Sequence, residues 1–197
     1  MRKEFVIIME LCDCNLADIL IEKNKKKEKF NFNEILEILT KLNNTFKIMV
    51  DNKMIHRDLK LENILLKKNE NGQNIWKIVD YGVNKKLLAL SEKYYTGLVG
   101  TIPYMAPEVL SGDKYNNKCD LWSLGIILYN LYFQEVPYKG DISVVILNKI
   151  RTSGKTLLKT SDSKSFNELF NQLLEADPNE RISWENYFDH DFFKAKE

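Results

Sequence analysis

The chain has 197 residues, 44% of them hydrophobic, enough to bury one sizeable core and unlike the composition of a collagen, a mucin or a disordered tail. Its 29 basic and 28 acidic residues leave a formal charge of +1, so no global field favours nucleic acid or a membrane surface, and partners must be argued from local sites. The cysteines Cys12, Cys14 and Cys119 make no disulfide framework and point to a reducing, cytoplasmic compartment.

Residues 5–9 (FVIIM) form a short apolar run that predicts a buried strand; they fall far short of the roughly 20 residues of a membrane span, and no cleavage pattern follows. Residues 22–29 (EKNKKKEK) mix charges and read as a solvated loop. From Phe32 onward, Ile35, Leu36, Leu39, Leu42, Phe46, Met49 and Val50 recur at three- and four-residue spacing, which predicts a long amphipathic helix capped by Asn31 or Asn33. Residues 64–66 and 75–79 flank Asn71-Gly72, a pair suited to the positive dihedrals of a hairpin turn, and predict two short antiparallel strands. Residues 83–103 have few apolar anchors and read as a long loop. Residues 121–133 are almost wholly apolar but too short to span a bilayer and are interrupted by Ser123, Gly125 and Asn130, so a buried helix is expected. Two further stripes follow, Ile142, Val145, Ile146 and Ile150, then Phe166, Leu169, Phe170, Leu173 and Leu174. Strands and helices do not alternate as a doubly wound sheet requires, and the pattern predicts one α+β domain, mainly α, with a small strand ribbon.

Chemistry concentrates in His56-Arg57-Asp58-Leu59-Lys60-Leu61-Glu62-Asn63, a loop that leads into the first hairpin strand, and in Asp80, which follows the second. The hairpin can bring Asp58, Asn63 and Asp80 to one end. Two carboxylates and an amide oxygen are hard ligands of the kind Mg²⁺ accepts, with phosphate and water oxygens completing the shell. That set implies phosphoryl transfer, for which a protein chiefly positions the nucleophile, neutralises phosphate charge and accepts a hydroxyl proton. Cys12 and Cys14, with only His56 and His190 elsewhere, make a poor zinc site, and no structural metal is assigned.

The succession HRDLKLEN (56–63), DYG (80–82), GTIPYMAPE (100–108), DLWSLG (120–125) and DPNER (177–181) resembles the eukaryotic protein kinase family in order and spacing. The resemblance implies the C-terminal lobe of a kinase, with a short β ribbon and a long activation loop. It implies transfer of the γ-phosphate of ATP to serine or threonine hydroxyls of a protein substrate, with ATP and Mg²⁺ as cofactors; from the charge balance neither nucleic acid nor membrane is expected as partner. By the same resemblance Asp58 is the catalytic base, Lys60 neutralises charge on the transferred phosphate, and Asn63 and Asp80 hold Mg²⁺. Lys60 and Thr101 are similar to the serine/threonine subgroup. Met9-Glu10-Leu11-Cys12 resembles the adenine-binding hinge, with Met9 as gatekeeper, backbone groups of Glu10 and Cys12 paired to the adenine edge, and Leu65 as the pocket floor. Glu108 and Arg181 resemble a buried ion pair, Asp120 an anchor of the catalytic loop, and His56 and Tyr81 packed members of an internal spine. Arg57 would meet a phosphate on the activation loop, where Ser91, Tyr94, Tyr95, Thr96 and Thr101 are acceptors and Thr96 is favoured for switching; Thr101 is expected to contact Asp58 and Lys60 directly.

The sequence departs from the family at Tyr81, where phenylalanine is usual, and carries neither G-x-G-x-x-G nor a V-A-I-K-like lysine. Residues 1–197 are therefore expected to be a partial kinase domain, the hinge strand plus the C-terminal lobe. The glycine-rich loop and the ATP-anchoring lysine would be missing, and an apolar surface would be left for a docking partner where the small lobe sits. The alternative is a non-catalytic, pseudokinase-like interaction module built on the same lobe. Intact Asp58, Lys60, Asn63 and Asp80 favour the enzyme.

Overall fold

In the computed structural model, which describes residues 8–80, 100–140 and 142–194, the order is β1 (Cys14–Asn15), α1 (Leu16–Lys25), α2 (Phe32–Asp51), β2 (Ile64–Lys68), β3 (Asn74–Ile78), α3 (Pro107–Leu110), α4 (Lys118–Phe133), α5 (Ser143–Ser153), α6 (Lys164–Leu173) and α7 (Trp184–Phe188). The fold is α+β and mainly α. Its sheet has the order β1-β2-β3 with both pairings antiparallel, Cys14 opposite Leu66 and Ile64 opposite Ile78.

Residues 8 and 9, the described part of the run 5–9, differ from the expected buried strand. They carry no regular structure, Ile8 is 93% exposed, and pairing begins only where the Asp13 N–H reaches the Leu66 carbonyl (2.9 Å). An apolar run becomes a buried strand only when a neighbour supplies hydrogen bonds and apolar cover, and among the described residues nothing covers Ile8, Met9 or Leu11. Residues 5–7 of that run lie outside the described residues.

The charged run expected as a loop instead begins inside α1. Asn15 and Asp18 form a reciprocal capping box at its start, Glu22 pairs with Lys26 one turn on (2.6 Å), and Lys23 and Lys25 sit in the last turn, where cations favour the helix dipole. In α2 the cap is Asn31. Its side chain accepts the Glu34 N–H (2.9 Å) while the Glu34 carboxylate accepts the Asn31 N–H (2.8 Å). The helix buries Ile35, Ile38, Leu39, Leu42, Phe46 and Met49, whereas Leu36 and Val50 are only partly covered.

The hairpin turns through residues 69–73, which include the expected Asn71-Gly72. Only Gly72 among them takes a positive φ (75°), and the Asn69 side-chain oxygen accepts the N–H groups of Asn71 (3.0 Å) and Gln73 (2.8 Å). Strand alternation then sends Ile64, Leu66, Trp76 and Ile78 into the core and leaves Leu65, Lys67, Ile75 and Lys77 on the outer face.

Helix α4 is buried on every side, as its composition demands, and a Cβ on Gly125 would come within 2.9 Å of Leu173, so the glycine sets how closely α4 and α6 pack. Phe166, Leu169, Phe170 and Leu173 of α6, and Leu174 just after it, are all buried as the stripe predicts. The α5 stripe is narrower than expected. Ile146 and Ile150 are buried, but Ile142 precedes the first helical turn and Val145 is 42% exposed. No helix of the described residues is long and apolar enough to cross a membrane.

Candidate active site

The loop of residues 56–63 is shaped by α4. Asp120, in the first turn of that helix, is 1% exposed and accepts the backbone N–H groups of His56 (2.7 Å) and Arg57 (2.9 Å). Burial pushes the Asp120 carboxyl up, against the pull of His56 and of those two donors. His56 is fully buried. The Asp58 N–H points at its Nδ1 (3.4 Å), so Nε2 carries the proton and donates to the Val79 carbonyl (2.9 Å). His56 is thus a core histidine that ties the loop to the end of β3. Arg57 takes φ +68° and Asp80 φ +66°, left-handed conformations that bulky residues adopt at some cost and that cluster at functional sites.

Around Asp58 the side chains converge. Thr101 donates its hydroxyl to Oδ1 (2.7 Å), the Lys60 ammonium lies 2.8 Å from Oδ2, and Lys60 also donates to the Thr101 oxygen (2.9 Å). Burial pushes the Asp58 carboxyl up, but Lys60 and Thr101 outweigh it and hold the group below the usual carboxylate range. It is an ionised acceptor at neutral pH. The Asn63 amide nitrogen donates to the Asp58 carbonyl (2.8 Å) and reaches Oδ2 (3.3 Å), which leaves the amide oxygen as the acceptor on the other side. The Asn63 carbonyl accepts the Val79 N–H (3.0 Å), so the exposed Asp80 stands one residue beyond a bond that joins β3 to this loop.

The structure therefore brings together Asp58, Lys60, Asn63 and Thr101 directly, and Asp80 through the backbone. Tyr81 and Gly82, and with them Ser91, Tyr94, Tyr95 and Thr96, lie outside the described residues, as does most of the long loop.

The hinge residues form a second group. Met9 is 69% exposed, Cys12 is half-buried, and Leu65 is half-buried on the outer face of β2 opposite Asn15. The Glu10 carboxylate pairs with Lys67 (2.6 Å) and with Lys77, which hold its pKa down to about 2. This contact is not among the expectations from the sequence. Its signal was present in the strand alternation, which places Lys67 and Lys77 on the same face as Leu65.

Behind the site, Arg181 and Glu108 make the expected buried ion pair, with two parallel bonds of 2.7 and 2.8 Å. Arg181 also donates to the carbonyls of Glu175 and Lys118 (both 2.9 Å), and its guanidinium lies 5.2 Å from the Trp122 ring centre. Lys118 reinforces the corner by donating to the carbonyls of Pro178 (2.9 Å) and Arg181 (2.7 Å).

Residues 1–193 match the family described as protein kinase domain. Over 95% of its length the chain is 33% identical to serine/threonine-protein kinase 33 of Bos taurus, covering 40% of that protein. It is 34% identical over 93% of its length to serine/threonine-protein kinase atg1 of Dictyostelium discoideum, and 32% identical over 90% to serine/threonine-protein kinase Nek5 of Homo sapiens. It covers 26% and 24% of those two proteins, so the chain spans less than half the length of each of these curated relatives.

Proposed function

The chain belongs to the protein kinase domain family, of the eukaryotic serine/threonine type, and from that premise we propose that it transfers the γ-phosphate of Mg·ATP to serine or threonine hydroxyls of a protein substrate. The observation that carries this is the convergence of Lys60 and Thr101 on a depressed, ionised Asp58. Asp58 would orient the substrate hydroxyl and accept its proton at a carboxylate oxygen. Lys60, already within 2.8 Å of that carboxylate, would neutralise charge growing on the transferred phosphate. A module that acts by binding alone has no chemical use for this arrangement.

Asn63 and Asp80 fit Mg²⁺ as oxygen donors, because the Asn63 nitrogen is committed to Asp58 and the Asp80 carboxylate is exposed. Among the described residues no group of three or more His, Cys, Asp or Glu side chains is disposed to hold a metal, so phosphate and water oxygens would complete the shell. The ion would supply neutralisation of phosphate charge. The backbone of Glu10 and Cys12, with Met9 and Leu65, would receive the adenine. The free thiols Cys12, Cys14 and Cys119 accord with a cytoplasmic setting.

Nucleotide titration with and without Mg²⁺ tests the assignment. Wild type is expected to bind ATP more tightly with Mg²⁺, and Asp80→Asn to lose that increment while still binding adenosine. An increment that survives in Asp80→Asn contradicts the metal assignment.

A further inference from the structure

The residue before Thr101 is a glycine in an uncommon conformation. Gly100 has φ +118°, a conformation that side-chain-bearing residues rarely adopt, and a Cβ built on it would lie 2.4 Å from the Arg57 carbonyl oxygen and 3.6 Å from Asp58 Oδ1. A separation of 2.4 Å is far inside van der Waals contact, so one of the two backbones would have to move. The Arg57 side cannot yield cheaply. The N–H groups of His56 and Arg57 are both held by the buried Asp120 carboxylate, and the Asp58 carbonyl is held by Asn63. The Gly100 side is held less firmly. Gly100 is exposed, and the next residue, Thr101, is attached to the loop through its hydroxyl and a backbone bond to the side chain of Asp58 rather than to a buried backbone anchor.

We propose that Gly100 is a positioning residue for phosphoryl transfer: by presenting no Cβ to the Arg57 carbonyl, it lets the Thr101 hydroxyl seat on Asp58 and complete the Asp58–Lys60–Thr101 cluster. The proposal rests on the catalytic assignment of Asp58 above. A side chain at position 100 displaces Thr101 rather than the catalytic loop, so the loss appears at the Asp58 carboxylate that Thr101 bonds.

The test compares Gly100→Ala, Thr101→Val and the double variant, with Gly112→Ala as control. Gly112 has a similarly positive φ (74°) but open space around its Cβ position, so it reports the backbone strain without the clash. Gly100→Ala is expected to lower kcat roughly 10- to 100-fold, the worth of a hydrogen bond to a charged group, with KM for ATP unchanged. Because Gly100 acts through Thr101, Thr101→Val is expected to do the same and the double variant no worse than either single one. Gly112→Ala is expected to retain wild-type kcat. Losses that multiply in the double variant, or an unchanged kcat in Gly100→Ala, overturn the proposal. A crystal structure of Gly100→Ala decides the matter without turnover. The Thr101 hydroxyl should lie beyond hydrogen-bond reach of Asp58 with both Asp120 bonds intact, and a retained 2.7 Å contact overturns the inference. Were Asp58→Asn as active as wild type, the catalytic assignment would fail while that distance still tested Gly100.

Discussion

Replacing Glu108 with glutamine strips the charge from one side of the Glu108–Arg181 pair while keeping the shape. The Arg181 side chain is 0% exposed and that of Glu108 5%, so water cannot take over the lost partner. Two charge-assisted bonds of 2.7 and 2.8 Å are replaced by one neutral acceptor and an amide nitrogen facing the guanidinium. The carbonyls of Glu175 and Lys118 solvate part of the positive charge but cannot cancel it. Breaking one side of such a pair costs about 3–5 kcal/mol, a large share of the roughly 5–15 kcal/mol that holds a typical domain together. For a domain of this size that corresponds to a fall in Tm of about 6–20 °C. Urea unfolding at 25 °C and calorimetry measure it. Glu108→Leu combined with Arg181→Met, which removes both charges, is expected to recover most of the loss. A cost below about 1 kcal/mol for Glu108→Gln would refute the argument, since a pair worth so little behaves as though solvent reached it.

Two further outcomes follow from the electrostatics of the site. Asp58 titrates below its unfolded value, near 3.9, so between the two values the unfolded chain binds more protons and stability rises with pH. Its contribution is present above about pH 4 and is lost as pH falls through the folded value; urea midpoints measured down to low pH should therefore drop more steeply for wild type than for Asp58→Asn, and parallel curves would contradict the shift. At the hinge, the exposed Glu10–Lys67–Lys77 contact is open to screening, because the Debye length shrinks from about 8 Å at physiological salt to about 3 Å at 1 M. Adenosine, an uncharged probe, should bind wild type more weakly as NaCl rises and bind Glu10→Gln weakly and almost independently of salt; identical salt curves would show that the contact does not place the hinge.

Wherever one side chain's periodicity or chemistry decides a feature, the sequence already displays it. The α2 and α6 stripes, the hairpin and the buried α4 all belong to this class. The Glu108–Arg181 pair, and Thr101 meeting Asp58 and Lys60, come from the family resemblance rather than from periodicity or spacing. The misses share a different cause. Helix α1 as a whole is not expected from the sequence, and its end is hidden because a mixed-charge run is polar in a loop and equally polar on a solvated helix end, so that only the i,i+4 pairing of Glu22 with Lys26 separates the two. Asn71-Gly72 marks the turn, yet only Gly72 takes a positive φ, because Asn69 organises the loop through bonds to residues two and four positions on. Glu10 and Gly100 depend on partners distant in sequence: strand alternation puts Lys67 and Lys77 on one face but does not bring Glu10 to them, and no local pattern encodes the approach of Gly100 to the Arg57 carbonyl.

Transfer of labelled γ-phosphate from Mg·ATP to a protein or peptide substrate, followed by identification of the modified residue, tests the central claim most directly. Wild type is expected to label serine or threonine and Asp58→Asn to lose roughly 10²–10⁴-fold in rate, the usual contribution of a general base, with its folded structure intact. Equal labelling by wild type and Asp58→Asn, or none by either in a chain that binds Mg·ATP, would contradict it.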